Sequence, residues 1–223
     1  RLERFSHAMF RNLPFRFIGV VLLALFASAP AFAAKPAADA AASTKAAPVV
    51  EEFQKTLILV MQDASKLGYE GRYRRLDPAI QKSHDLAGIT RVATGRNWGS
   101  LSTEQKARLV ELFTKLSIST YAARFDGYSG ETFKTIAEEK LGNGDALVRT
   151  VFTDSTGDTI PFDYVLRQHD GQWQIVNITV EGVSDLAIRR SEYASIIRRD
   201  GIEGLFKQLQ EKIADYRKLA EAK

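Results

Sequence analysis

The chain has 223 residues, 31 lysines and arginines against 27 acidic side chains, and no cysteine, so it uses no disulfide and carries a formal net charge of +4. That charge comes mostly from the start: residues 1–33 hold Arg1, Arg4, Arg11 and Arg16 against Glu3 alone, and the remainder is nearly neutral, which removes the main support for a nucleic-acid role. The roughly 190 residues that follow suffice for one domain with a substantial core.

Residues 1–33 read as a cleaved signal peptide. Arg11 and Arg16 precede an apolar run from Phe17 to Ala27, and Ser28-Ala29-Pro30-Ala31-Phe32-Ala33 closes it with the small residues a signal peptidase requires, which places cleavage after Ala33. The run is shorter than the roughly 20 apolar residues of a membrane span, so an exported, soluble protein is expected. Residues 34–48 are small, Ala-rich and bounded by Pro36 and Pro48, and read as a flexible leader. Residues 49–223 then form a single domain.

That domain opens with a predicted helix from Val49 to Leu67, with Phe53, Leu57, Val60, Met61 and Ala64 on one face and Gly68 as its stop. A second helical pattern, Tyr69 to Ser83, contains Pro78 and predicts two short helices or a kinked one. Leu86, Ile89 and Val92 make a short apolar face ended by Gly95. The clearest helix runs from Ser102 to Phe125: Ser102 and Gln105 have the spacing of a capping box, and Leu109, Leu112, Phe113, Leu116, Tyr121 and Phe125 form a wide apolar stripe.

Beyond Gly127 the period changes. Glu131–Glu139, Ala146–Thr153, Ile160–Gln168 and Trp173–Val180 are separated by Gly-Asn-Gly, Ser-Thr-Gly-Asp and Asp-Gly, which are hairpin signals for an antiparallel sheet of about four strands. Phe162, Tyr164 and Leu166 alternate with Asp163, Val165 and Arg167, and Trp173, Ile175 and Asn177 alternate with Gln174, Val176 and Ile178. Two helices follow, Ser184–Arg199 and Ile202–Lys218. The fold class is α+β, with helices from both the N- and C-terminal parts packed on the sheet.

Catalytic patterns are sparse. Outside the first segment the histidines are His84 and His169, without HExxH or ligand-spaced pairs, so neither a metal site nor a cofactor is expected. Leu141-Gly142-Asn143-Gly144-Asp145 joins two strands and does not open a helix, which makes it a poor phosphate loop. Nothing forms a nucleophile elbow.

A family resemblance rests on motifs in a fixed order. These are Gly95-Arg96-Asn97-Trp98, Gln105, Thr120-Tyr121-Ala122, Ser129-Gly130-Glu131, Asp163-Tyr164, Asp170-Gly171-Gln172-Trp173 and Val180-Glu181-Gly182-Val183-Ser184. Together they resemble the MlaC or toluene-tolerance family over nearly all of the chain from Val49 onward. The resemblance implies a periplasmic, non-enzymatic lipid carrier serving an inner-membrane ABC-type transporter complex and an outer-membrane lipoprotein complex. Arg189 followed by Arg190, where many carriers have tyrosine before the arginine, looks more like the hopanoid-associated HpnM branch, so the implied ligand is a phospholipid or a hopanoid.

A carrier needs an apolar enclosure with polar groups at its mouth, and no catalytic group. The residues expected to line an apolar cavity are Leu112, Phe113, Leu116, Tyr121 and Leu186 from helices, and Val148, Phe152, Phe162, Tyr164, Leu166, Trp173 and Ile175 from the sheet. Arg189 and Arg190 are candidates for head-group contact or docking. Which strand face points inward is open at this level, since a packed core and a lined cavity demand the same side chains. Three alternatives stand beside the carrier: a hopanoid-biosynthesis binding protein without a shuttle role, an isomerase or hydratase using Asp163 or Glu181 as its buried acid or base, and an interaction module with a filled interior and an exposed apolar patch.

Overall fold

The computed structural model describes residues 45–222, so the expected signal peptide and most of the expected leader lie outside the described residues. Helix α1 spans Ala47–Gln62 and buries Val50, Phe53, Leu57, Val60 and Met61. It starts before the expected Val49, because Pro48 sits in the first turn, where a helix needs no backbone donor. Ala46 is 0% exposed and its N–H donates to Glu138 Oε1 at 2.8 Å, so the end of the expected leader is part of the fold.

The first helix ends at Asp63 (φ −95°, ψ 9°) and not at Gly68. Helix α2, Ala64–Ser83, instead runs through Gly68, which takes φ 57° and ψ −175° and kinks it. Only glycine adopts that conformation without strain. Pro78, the expected break, is accommodated within α2. It lies on the exposed face together with Arg74, whose carbonyl loses its partner there, so water can take the missing bond.

Helix α3, Leu86–Thr94, is capped by Asp85, whose carboxylate accepts from Gly88 N at 2.8 Å, and it stops at Gly95. Val92, expected on the apolar face, is 40% exposed, and Thr90, Ala93 and Thr94 take the inward positions. A 3-10 turn, Gly95–Ser100, leads to helix α4, Thr103–Arg124. The capping box forms: Gln105 N donates to Ser102 Oγ at 3.2 Å and Ser102 N donates to Gln105 Oε1 at 3.0 Å.

Strands β1 (Thr132–Lys140), β2 (Ala146–Thr153), β3 (Thr159–His169), β4 (Gln172–Val180) and the short β5 (Val183–Ser184) make an antiparallel sheet in that spatial order. Helix α5, Asp185–Glu221, contains both expected C-terminal helices as two arms of one element kinked at Gly201 (φ 70°, ψ −174°). α1 packs on β1 and β4, α5 packs on β4 and α4, and the buried core lies between these helices and the sheet.

Two bulges set which side chains point inward. Thr135 pairs with Thr150 and Ala137 with Arg149, which leaves Ile136 unpaired and 57% exposed. In β4, Asn177 pairs with Val165 and Ile175 with Leu166, so Val176 is the extra residue. Cross-strand partners share a face, so Ile178 and Val180 join Tyr164 and Phe162 on the helix side, and Asn177 turns away. The simple alternation that groups Trp173, Ile175 and Asn177 is thus corrected: a bulge shifts the period by one.

Candidate functional site

The expected lining residues converge on the space between helices and sheet. Leu112, Phe113, Leu116, Val148, Phe152, Tyr164, Leu166 and Ile175 are buried, and Tyr121, Phe162, Trp173 and Leu186 are half-buried against the same core. Val148 stands opposite Tyr164, and Ala146 opposite Leu166, which fixes the helix-facing parity of β2 and β3. These side chains pack against one another. The clefts that stand out among the described residues open to solvent: one of about 260 Å³ is lined by Glu51, Gln54, Lys55, Ile58, Phe133 and Thr135, and one of about 370 Å³ by Asp200, Gly204, Lys207, Gln208 and Glu211. An enclosed cavity is not shown: the expected lining residues are buried in, or packed against, the apolar interior between helices and sheet.

Within this interior the sheet carries a line of rings. Phe133 and Phe152 lie 4.9 Å apart, Phe133 and Phe162 5.9 Å, and Phe162 and Tyr164 6.4 Å between centroids. The helices contribute a second group, in which Phe53 meets His84 at 4.9 Å and Tyr121 at 5.3 Å, and Tyr121 stacks on Phe125 at 5.6 Å. Burial pushes the hydroxyls of Tyr121 and Tyr164 up from their ordinary range, so both stay neutral.

A buried polar group helps to join the layers. Gln54 Nε2 donates to Thr150 Oγ1 at 2.9 Å and to Tyr164 OH at 3.3 Å, all three residues being buried. Thr150 in turn donates to the Phe162 carbonyl at 3.1 Å. Gln54, Phe133 and His84 are missing from the residues expected from sequence. A signal for Gln54 exists: it follows Val50 by four residues and precedes Leu57 by three, a polar side chain on an apolar helical face.

The two arginine candidates have different surroundings. Arg189 Nε donates to Asp185 Oδ2 at 2.6 Å, its guanidinium lies 5.2 Å over the Phe113 ring, and 17% of its side chain is exposed. Arg190 is exposed and lies beside Gly95, where an added Cβ would stand 3.7 Å from its Nε. The two carboxylates considered for catalysis lie outside the interior. Asp163 pairs with Arg149 and Thr179 on the sheet face turned from the helices, and Glu181 is exposed in the turn after β4.

Among the described residues, no helix is long and apolar enough to cross a membrane, and no three His, Asp or Glu residues are grouped to hold a metal ion.

Comparison with known proteins agrees with this architecture. The intermembrane phospholipid transport system binding protein MlaC of Haemophilus influenzae is 23% identical over 121 residues, 52% of this chain and 56% of the relative. The toluene tolerance protein ttg2D of Pseudomonas putida is 25% identical over 135 residues, 60% of each chain. The chain thus spans less than two thirds of the length of these curated relatives. A phospholipid-binding protein from Ralstonia solanacearum, solved in complex with a phospholipid, shares the fold with a TM-score of 0.68 at 22% identity, over 79% of this chain and 98% of that one. The MlaC protein family matches residues 51–211, from the first turns of α1 through the sheet and most of α5, and on that extent the chain belongs to the MlaC family.

Proposed function

We propose that the chain is a lipid carrier that takes a phospholipid from one membrane and shields its acyl chains between sheet and helices. It works in the periplasm, between an inner-membrane ABC-type transporter complex and an outer-membrane lipoprotein complex. The observation that carries this reading is membership of the MlaC family together with a fold shared with a phospholipid-bound protein. An acyl chain gains about 0.8 kcal/mol per buried methylene, so the carrier must offer a long apolar surface. The contiguous residues Leu112, Phe113, Leu116 and Tyr121 of α4, with Phe152, Phe162, Tyr164 and Leu166 of the sheet, supply such a surface when the layers part. Val148, Trp173, Ile175 and Leu186 extend it. In this reading Arg190, exposed beside Gly95, serves docking, and Arg189, held by Asp185 and Phe113, supports the α4–α5 packing.

The test is native mass spectrometry and organic extraction of protein purified from its own host, with uptake from phospholipid vesicles in parallel. A bound phospholipid, or uptake from the vesicles, is expected. Protein that carries no lipid and acquires none overturns the carrier reading. A hopanoid in the extract would bear out the ligand implied by the Arg189-Arg190 pair, whereas phospholipid alone would leave the carrier role intact and remove the hopanoid.

A further inference from the structure

An acyl chain from a membrane reaches the buried apolar cluster between sheet and helices only through a seam between two layers, and the seams of this fold are unequal. Between α4 and α5 the buried part of the closure is apolar, with Leu205, Phe206 and Leu209 buried and Arg108 laid on the Phe206 ring at 4.3 Å. The polar links lie outside it, Arg108 to Glu203 at 3.2 Å and Arg124 to Tyr216 at 3.3 Å. Between α1 and the first two strands the cross-links are polar. Ala46 N donates to Glu138 Oε1 at 2.8 Å, Thr135 Oγ1 to Glu51 Oε1 at 2.8 Å, and Gln54 Nε2 to Thr150 Oγ1 at 2.9 Å. Hydrogen bonds can be exchanged for bonds to water at small net change, whereas separated apolar faces have no such substitute. The polar seam is therefore the one that parts more readily.

The cleft of about 260 Å³ lies along that seam, and Phe133 is part of its wall. From Phe133 the ring contacts with Phe152 and Phe162 lead to Tyr164, whose hydroxyl accepts from Gln54. The same glutamine therefore sits in the cleft and at the inner end of the aromatic line. The seam is also built from separable parts, since the non-helical Asp63 divides α1 from α2 and β1 is an edge strand with a neighbour on one side only.

We propose that the cleft between α1 and β1 is the mouth through which a phospholipid acyl chain enters. The hydrogen bonds of Gln54 hold it shut, and Phe133, Phe152 and Phe162 form the first stretch of the binding surface. This rests on the carrier reading and adds the place of entry and its latch.

The absence of cysteine permits a direct test. Glu51→Cys and Thr135→Cys, placed together, are bridged by a short bis-methanethiosulfonate linker that dithiothreitol removes, and uptake of a fluorescent phosphatidylglycerol from vesicles is followed. A control bridge joins Arg108→Cys to Glu203→Cys, replacing an ion pair of 3.2 Å between α4 and α5. Bridging the mouth should slow uptake about tenfold or more and reduction should restore it, while the control bridge leaves the rate within about twofold. Gln54→Ala, which removes the latch without adding apolar area to the seam, should raise the uptake rate about threefold. Unimpaired uptake by the bridged mouth, or an unchanged rate in Gln54→Ala, overturns the proposal while the parent protein still loads. If the parent itself takes up no lipid, the carrier reading falls and the mouth falls with it.

Discussion

The imidazole of His84 stands edge-on to the ring of Phe53, with centroids 4.9 Å apart and planes at 85°. Tyr121 closes another side at 6.4 Å. The Ser83 hydroxyl donates to the Ala79 carbonyl at 2.7 Å, so His84 Nδ1, 2.8 Å from Ser83 Oγ and 3.2 Å from the Ile80 carbonyl, is assigned the ring proton. Nε2 is then a buried acceptor without a hydrogen-bond partner among the described residues.

Burial pushes the His84 imidazole down to about 4, so the folded protein binds this proton less readily than the unfolded chain. Stability from this residue is full above the unfolded value near pH 6.5 and is lost as pH falls toward 4. The loss totals about 3 kcal/mol. Urea unfolding at pH 7 and pH 4.5 should show it, and His84→Asn should flatten the difference. Equal pH dependence in both proteins would show that the imidazole is not held neutral.

Gln54→Leu should destabilise the fold by about 1–3 kcal/mol, since Tyr164 OH loses its donor inside the core. Thr150 keeps its bond to the Phe162 carbonyl, so the double variant Gln54→Leu with Tyr164→Phe should recover part of the loss. Equilibrium denaturation of the set measures that coupling.

Leu166 is 0% exposed between Ala146 and Ile175 of the flanking strands. Its truncation to alanine leaves a cavity and should cost about 2–5 kcal/mol. Leu219, 62% exposed near the end of α5, should cost less than about 0.5 kcal/mol when truncated. Comparing the two unfolding midpoints tests whether the interior is as tightly packed as the structure has it.

Asp145 accepts from Arg167 Nε at 2.9 Å and Nη2 at 2.7 Å, and from Asn143 Nδ2 at 3.0 Å. The Arg167 hydrogen bonds hold its carboxyl below the usual carboxylate range against the opposing effect of burial. A depressed carboxylate stabilises the fold above its unfolded value, near pH 3.9, and that contribution fades as pH falls through the folded value. Asp145→Asn should therefore cost on the order of 1–2 kcal/mol at pH 7 and converge with the parent in strong acid. Acid titrations of both proteins, followed by circular dichroism, check the convergence.

Much of this fold was legible because local chemistry decides it. The Ser102–Gln105 box and the Asp170-Gly171 turn act over a few residues, and both formed where the sequence places them. The misjudged features depend on surroundings. Pro78 is tolerated because its face of α2 meets water, and Gly68 kinks a helix whose stop lies earlier, at Asp63. The bulge at Val176 leaves no compositional mark, and it decides whether Asn177 or Ile178 looks inward. Gln54 was passed over because apolar periodicity counts its neighbours and ignores the polar residue among them. Packed core and lined cavity share one pattern, so the burial of Leu116, Tyr164 and Ile175 was legible in the sequence, but which of the two they build was not.

The extra residue in β4 also makes the two central strands unequal in what length they can lose. Deleting Val176 would restore plain alternation and keep Trp173, Ile175, Ile178 and Val180 on one face in the same register, so β4 should tolerate that loss. Insertions and deletions should likewise be accommodated at the 142–144 and 154–158 turns, but not between Phe162 and Leu166 of β3, where alternation is unbroken and a single codon decides which side of the sheet is greasy.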